Sequence, residues 1–156
     1  MFTLKNIQEY FNTSIQEGYY ANDKIILSAN KKNFNYDYTI HKNKVYLGKS
    51  IKRANIILTI KDDKIYAGNS TSNSKCLFTI LRNKVYTGNH IIYSKCIYTV
   101  LDNKIYNGNS NHFSECLFTI SNKKLYNGDS IINSKHLLTI DGHLSNEVLV
   151  CIIGVL

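Results

Sequence analysis

Four side chains with metal-binding chemistry recur every 20 residues: Cys76, Cys96, Cys116 and His136. Three thiolates and one imidazole form a common ligand set for zinc. If successive copies stack as parallel strands, the first and last of these residues lie about 14 Å apart, at about 4.8 Å per step. Zinc holds its ligands at about 2.0–2.3 Å. The spacing therefore predicts buried core cysteines, no metal site and no cofactor.

The sequence contains no motif typical of an enzyme. We find no nucleophile elbow, phosphate-binding loop, zinc-protease helix or carboxylate pair. Of the five histidines, only His90 and His112 occupy similar places in the repeat. An active site needs different side chains that converge on one point, whereas a repeat supplies the same side chain along a line. We therefore expect no catalytic residues and a protein that is not an enzyme.

The central region repeats every 20 residues, in six copies that follow one another from Lys24 without insertion or deletion. The copy KIYAGNSTSNSKCLFTILRN, from Lys64, is representative. Each copy predicts two short strands, K-[IV]-Y-x-G and C-[LI]-[FY]-T-[IV], because both segments are rich in β-branched and aromatic residues and are bounded by Asn, Asp or Ser. We therefore expect an all-β repeat domain over residues 21–140.

Two architectures fit such a unit. The first is a β-solenoid of six 20-residue coils in which equivalent residues stack, and the second is a closed antiparallel meander, either a barrel or a propeller. An extra residue in a coil would turn every following side chain to the other face, whereas loops at a barrel rim tolerate insertions. The constant length of the copies therefore favours the solenoid, with the closed meander as the alternative.

The 20-residue pattern is lost at both ends of the repeat domain. An open solenoid needs a capping segment at each end to cover its core. Within residues 1–20, apolar side chains at three- and four-residue spacing predict a capping helix. Residues 141–156 form the second predicted cap, which ends in the apolar segment VLVCIIGVL. The capping residues favour a helix there and the Val and Ile content favours a strand; we expect a helix. Its apolar side chains would either plug the core or form a homodimer contact.

The motif [IV]-Y-x-G-[ND]-S, the apolar strand that ends in T-I and the segment D-G-H-L-S-x-E resemble a group of short bacterial tandem-repeat proteins. The resemblance covers residues 24–150 and implies a repeat fold whose last copy runs into a small C-terminal helix. It implies no activity. The repeats are also weakly similar to choline- and glucan-binding repeats of about the same length, although Trp and most of the Gly of that pattern are missing.

The chain carries 19 Lys and Arg against 11 Asp and Glu, a net charge of +8, and therefore attracts anions. One lysine recurs in every copy, and such a column can follow a polyanion; it can equally keep strand edges from pairing. Since Ile65 and Tyr66 must point to opposite faces, we expect the tyrosines to face outward, where they could stack on bases or sugars. The predicted polyanion-binding residues are Lys44, Lys64, Lys84, Lys104 and Lys124, and the predicted stacking residues are Tyr66, Tyr86 and Tyr106.

The segment between the two strands of a copy differs most among the copies and carries apolar residues where a loop is expected. Ile92, Tyr93, Phe113 and Ile132 would form an apolar edge, which is typical of a surface for a protein partner. The sequence thus predicts a non-enzymatic binding protein with a nucleic acid or nucleoprotein as partner, acting as an inhibitor if it blocks a groove of that partner. The alternative is a structural or self-assembling repeat protein with a purely protein partner.

The longest apolar run is nine residues, Val148 to Leu156, whereas a membrane-spanning helix needs about 20. The first residues alternate polar and apolar side chains and offer no core of a secretory signal. We therefore expect a cytoplasmic protein with reduced cysteines and no membrane partner.

Overall fold

The computed structural model describes residues 24–155. Each copy contributes two strands, and the twelve strands close into one antiparallel barrel, in which β1 pairs with β12. The strands are β1 (Ile25–Ala29), β2 (Tyr38–His41), β3 (Lys44–Leu47), β4 (Ile56–Lys61), β5 (Lys64–Ala67), β6 (Cys76–Leu81), β7 (Lys84–Thr87), β8 (Cys96–Leu101), β9 (Lys104–Asn107), β10 (Cys116–Ser121), β11 (Lys124–Asn127) and β12 (His136–Asp141). One α-helix, α1 (Asn146–Ile153), follows β12.

The predicted β-solenoid is wrong, and the closed meander, stated as its alternative, describes the fold. Every strand pairs antiparallel with its neighbours in sequence, as β5 does with β4 and with β6. Equivalent residues are therefore two strands apart, about 9.5 Å, and do not stack at strand spacing. The constant length of the copies has another cause: each copy uses one tight turn and one loop of fixed length.

The tight turns lie at one end of the barrel. Each joins the second strand of one copy to the first strand of the next through two residues, as Asp62 and Asp63 do between β4 and β5. Asp62, Arg82 and Asp102 have φ angles of +56°, +56° and +54°, the left-handed backbone that tight hairpin turns require. This is how the chain reverses direction without proline.

Six longer loops lie at the opposite end, over residues 30–37, 48–55, 68–75, 88–95, 108–115 and 128–135. The last five each begin at a glycine with positive φ, such as Gly68 at +66°, and end in one turn of 3-10 helix, such as Asn73–Lys75. A β-bulge follows each of these five loops. In β6, Leu77 is the extra residue, because Ile65 pairs with Phe78 and Tyr66 pairs with Cys76. The bulge brings both strands of a copy back into register after the loop.

Side chains alternate between the interior and the outer face of the barrel. Ile65 pairs with Ile60 and Phe78, and all three are buried in one apolar core. The next residue, Tyr66, points to the outer face, where it pairs with Thr59 of β4. Isoleucine inward and tyrosine outward is the alternation that the sequence predicts, and the same pattern recurs around the barrel.

Helix α1 fills the middle of this core. Ser145 caps it, accepting a hydrogen bond at 3.1 Å from the backbone N–H of Val148, and Val148 to Ile153 are all buried. The buried side chains of the helix belong to the same apolar core as the inward-facing residues of the strands, and the helix contacts β7 and β8. The C-terminal helix is confirmed. The side chains of this segment are buried in their own chain, and the predicted homodimer contact stays a prediction.

The helix runs from the tight-turn end of the barrel to the loop end. Gly142, before the helix, lies against Ile25 at the start of β1, and Gly154, after it, lies against the ring of Tyr98 near the start of β8. The helix predicted within residues 1–20 lies outside the described residues. Within residues 24–155, no helix is long and apolar enough to cross a membrane.

Candidate functional site

The predicted polyanion-binding lysines lie on the outer face of the barrel, half-buried, at the start of each copy's first strand. The ammonium groups of Lys44, Lys64 and Lys84 donate hydrogen bonds to the hydroxyls of the threonines directly opposite, on the next strand. The pairs are Lys44 with Thr59 at 2.9 Å, Lys64 with Thr79 at 3.0 Å, and Lys84 with Thr99 at 3.0 Å. These lysines thus have a structural contact in the barrel itself.

Each of these threonines also donates a hydrogen bond of its own. The Thr79 hydroxyl donates to the carbonyl oxygen of Gly88 at 2.7 Å, and the same contact links Thr59 to Gly68. A chain of hydrogen bonds therefore runs from the lysine, through the threonine, to the glycine that begins the next long loop. The lysines and threonines together hold the long loops against the outer face.

The other two lysines of the column differ. Lys104 forms an ion pair with Asp129, which lies in loop 128–135, and Lys124 is half-buried. Burial lowers the pKa of Lys44. The column is thus partly covered, and four of its five ammonium groups have partners in the chain. Polyanion binding by Lys44, Lys64, Lys84, Lys104 and Lys124 stays a prediction.

The predicted stacking tyrosines point to the outer face but are covered there. Tyr66, Tyr86 and Tyr106 expose only 6%, 7% and 8% of their surface. Burial raises the pKa of Tyr66 and Tyr86. A nucleic-acid base or a sugar could stack on these rings only after the covering residues move away.

The predicted protein-partner residues are exposed in three consecutive long loops. Ile92 and Tyr93 in loop 88–95 are 43% and 77% exposed, Phe113 in loop 108–115 is 71% exposed, and Ile132 in loop 128–135 is 56% exposed. Ile91 and Ile131 stand beside them and are also exposed. We name these six residues the apolar arc. Since neighbouring loops are two strands apart, the arc spans about 20 Å of the rim.

A second arc, which sequence reasoning missed, adjoins the first. The exposed residues Lys32, Lys49, Lys52 and Arg53 lie in loops 30–37 and 48–55, and we name them the basic arc. The signal was visible as the segments NKKNFN and GKSIKR, where two copies carry lysine and arginine in the variable loop.

Hydrogen bonds join the two arcs where the barrel closes. The side-chain amide of Asn33, next to Lys32, donates to the carbonyl oxygens of Ser134 at 2.9 Å and of His136 at 2.8 Å. Ser134 lies two residues from Ile132. Loops 128–135 and 30–37 are therefore in contact, and the apolar arc passes directly into the basic arc.

The loop charges follow the same division. The three loops of the apolar arc contain Lys95 and Lys135 but also Glu115 and Asp129, so their charges balance. The two loops of the basic arc contain five basic side chains and one carboxylate, Asp37. Despite partial burial, the backbone N–H of Ala29 and the ammonium of Lys31 hold the pKa of Asp37 below its ordinary value. The excess of positive charge on the rim is concentrated on one side.

The repeated cysteines lie apart from one another, on the outer face. Cys76, Cys96 and Cys116 are half-buried, and their thiols donate to carbonyl oxygens within their own strands, as Cys76 does to Phe78 at 3.4 Å. The expectation of buried core cysteines is thus wrong for these three. His136 contacts Thr139 at 3.2 Å. Across residues 24–155, no group of three or more His, Cys, Asp or Glu side chains is placed to hold a metal ion.

Residues 26–153 match the family model described as "6-fold beta flower protein". The six copies and the closed ring of strands agree with that description. No curated protein matches the chain, and no solved structure does.

Proposed function

This chain belongs to the 6-fold beta flower family, and from that premise we propose that it is a non-enzymatic binding module whose ligand is a protein. The apolar arc is the single observation that carries the proposal. A folded chain rarely leaves six large apolar side chains in water on adjoining loops, because each costs hydration free energy that burial would recover. The arc also contains two aromatic side chains, the type that anchors interfaces.

The barrel is suited to this task because its loops vary while its strands do not. Repeated contacts such as that from the Thr79 hydroxyl to the Gly88 carbonyl oxygen anchor the start of a long loop to the barrel wall. Loop 68–75 has the same length as loop 88–95 but carries Thr71 and Ser72 where loop 88–95 carries Ile91 and Ile92. The apolar residues are thus a property of particular loops and not a requirement of the fold.

The proposal is tested by peptide selection on the intact protein. A random peptide display library is selected on the wild-type chain and then screened against the triple variant Ile92→Ser, Phe113→Ser and Ile132→Ser. We expect enriched peptides with at least two large apolar residues that lose binding to the variant. The control substitutes Ser72→Ala in the polar loop and should retain binding. Enriched peptides that bind the triple variant as well as the wild type would contradict a role for the apolar arc.

Binding of a nucleic acid is the second candidate function, and the observation that favours it is the basic arc. The side chains of Lys32, Lys49, Lys52 and Arg53 are exposed, whereas the lysine column is partly covered. If they contact phosphates, binding to single-stranded RNA should weaken with salt by about 0.7 logarithmic units per contact. Changing the four to Gln should flatten this slope by about three units, and changing Lys44, Lys64, Lys84 and Lys104 should flatten it less.

A further inference from the structure

We propose that the partner segment is amphipathic and acidic, with apolar side chains that pack on the apolar arc and carboxylates that face the basic arc. This inference rests on the proposed function and names the chemistry of the partner. It follows from the junction of the two arcs at loops 128–135 and 30–37, where Asn33 holds the loops together.

The two arcs form one continuous stretch of the rim. The apolar arc covers three loops and the basic arc two more, so together they follow about 40 Å of the closed rim at about 9.5 Å per loop. A segment that crosses the junction places its apolar residues against Ile131 and Ile132 and its next residues beside Lys32. The adjoining Lys31 is also exposed but forms an ion pair with Asp37 at 3.1 Å. Lys32 is therefore the first cation after the junction that forms no ion pair among the described residues.

The positive charge of the chain disfavours a second copy of itself as the partner of the two arcs. Each copy carries a net charge of +8, and a contact that brought the two basic arcs together would place like charges face to face, which costs free energy. An acidic segment gains free energy from the same four cations and associates faster because the field steers it.

Charge also decides against an anionic membrane. Glu115 lies two residues from Phe113 and accepts a hydrogen bond from Asn107 at 3.3 Å. If Phe113 inserted into lipid, this carboxylate would be pressed against negatively charged headgroups. A folded or helical protein segment can place a neutral or donor side chain there instead.

The inference is tested with three synthetic peptides of about 18 residues that share one apolar face of Leu and Phe. Their remaining positions are Glu, Gln or Lys. Fluorescence anisotropy on the intact protein at about 50 mM salt should show binding of the Glu peptide at least tenfold tighter than that of the Gln peptide. The Lys peptide should bind weakest. Raising the salt should reduce the difference between Glu and Gln peptides, because the extra affinity is electrostatic.

Two variants test whether the difference in affinity between the Glu and Gln peptides depends on the basic arc. Lys52→Glu with Arg53→Glu should reduce binding of the Glu peptide tenfold or more and leave the Gln peptide unchanged. The matched control Lys75→Glu, in the polar loop, should change neither by more than about twofold. Equal affinity for the Glu and Gln peptides, or an equal loss in the control, would overturn the inference.

The outcomes also separate this inference from the proposed function. If the Gln peptide binds as well as the Glu peptide and both lose binding in Ile92→Ser with Ile132→Ser, the protein-binding function stands and the acidic partner is wrong. Vesicles of phosphatidylcholine with phosphatidylserine, and a single-stranded thymidine oligonucleotide, complete the set of probes. Tighter binding of either than of the Glu peptide would overturn the inference in favour of a lipid or nucleic-acid ligand.

Discussion

The side-chain amide of Asn33 donates a hydrogen bond to the carbonyl oxygen of Ser134, 101 residues further along the chain, at 2.9 Å. With the second bond to His136, it connects the first long loop to the last and supports the pairing of β1 with β12. The closure of the ring therefore depends on loop contacts as well as on the strand ladder.

Substituting Asn33→Ala should lower the free energy of unfolding by about 1–2 kcal/mol, because it removes two hydrogen bonds, one to loop 128–135 and one to the start of β12. Urea denaturation measures the change. Asn73→Ala, at the same position of another copy, is the control and should have less effect. Equal effects of the two substitutions would show that Asn33 does not support ring closure.

Substituting Thr79→Val should lower the free energy of unfolding by about 1–3 kcal/mol, because the Lys64 ammonium and the Gly88 carbonyl both lose a partner at a buried position. Thr79→Ser keeps the hydroxyl and should retain most of the stability. Both are measured by thermal or urea denaturation. If the two variants are equally stable, the chain of hydrogen bonds does not hold the loops.

Substituting Leu149→Ala should lower the free energy of unfolding by about 2–5 kcal/mol, because it leaves a cavity between α1 and the strands. Ile92→Ala, on an exposed loop, should stay within about 0.5 kcal/mol of the wild type. A loss at Leu149 as small as that at Ile92 would mean that the helix does not lie inside the barrel.

Much of the fold could be predicted from the sequence, and the part that could not has a physical reason. The period of 20, the two strands per copy and the inward Ile65 beside the outward Tyr66 all follow from residue types. The choice between a solenoid coil and a hairpin does not follow from residue types, because a turn such as Asp62 and Asp63 suits either architecture. The position of α1 inside the barrel was also open, since an apolar helix can plug a core or pair with another chain.

Only the apolar part of the candidate site could be predicted from the sequence, for a different reason. Ile92 and Phe113 stand out in a loop because large apolar residues are unexpected there. The basic arc brings together residues from two copies, and its adjacency to Ile132 depends on closure of the ring. A linear stack places the first and last copies at opposite ends, so the sequence-based fold hid the junction.

Glu147, in the first turn of α1, makes stability depend on pH. Burial raises the pKa of its carboxyl above its ordinary value of 4.5. The folded state therefore holds the proton more tightly than the unfolded chain, so this contribution to stability is complete below pH 4.5 and is lost as the pH rises through the raised value. Glu147→Gln should stabilise the protein at pH 7 more than at pH 4.

Urea denaturation of the wild type and the variant at both pH values measures this difference. The control is Glu115→Gln, which removes an exposed carboxylate outside the core and should change the free energy of unfolding by no more than about 0.5 kcal/mol. If the effect of Glu147→Gln is independent of pH, the carboxyl does not titrate with folding.

The four thiols should react with Ellman's reagent in two groups. Cys151 is fully buried in α1, and burial raises the pKa of its thiol, so it should react only as fast as the protein unfolds. The half-buried Cys76, Cys96 and Cys116 should react first. Cys151→Ser should abolish the slow phase and leave the fast phase unchanged. Four thiols with one common rate would contradict the enclosure of the helix.

Helix α1 occupies the centre of the barrel but comes after every strand in the chain. During translation, each copy leaves the ribosome before the segment that will cover its inner face has been made. At synthesis rates of about 5–20 residues per second, the inward side chains of the first copies wait on the order of ten seconds. Strands such as β3 and β4 are meanwhile apolar on one side and unpaired at the edge, so nascent chains would depend on chaperones or on low concentration to escape aggregation.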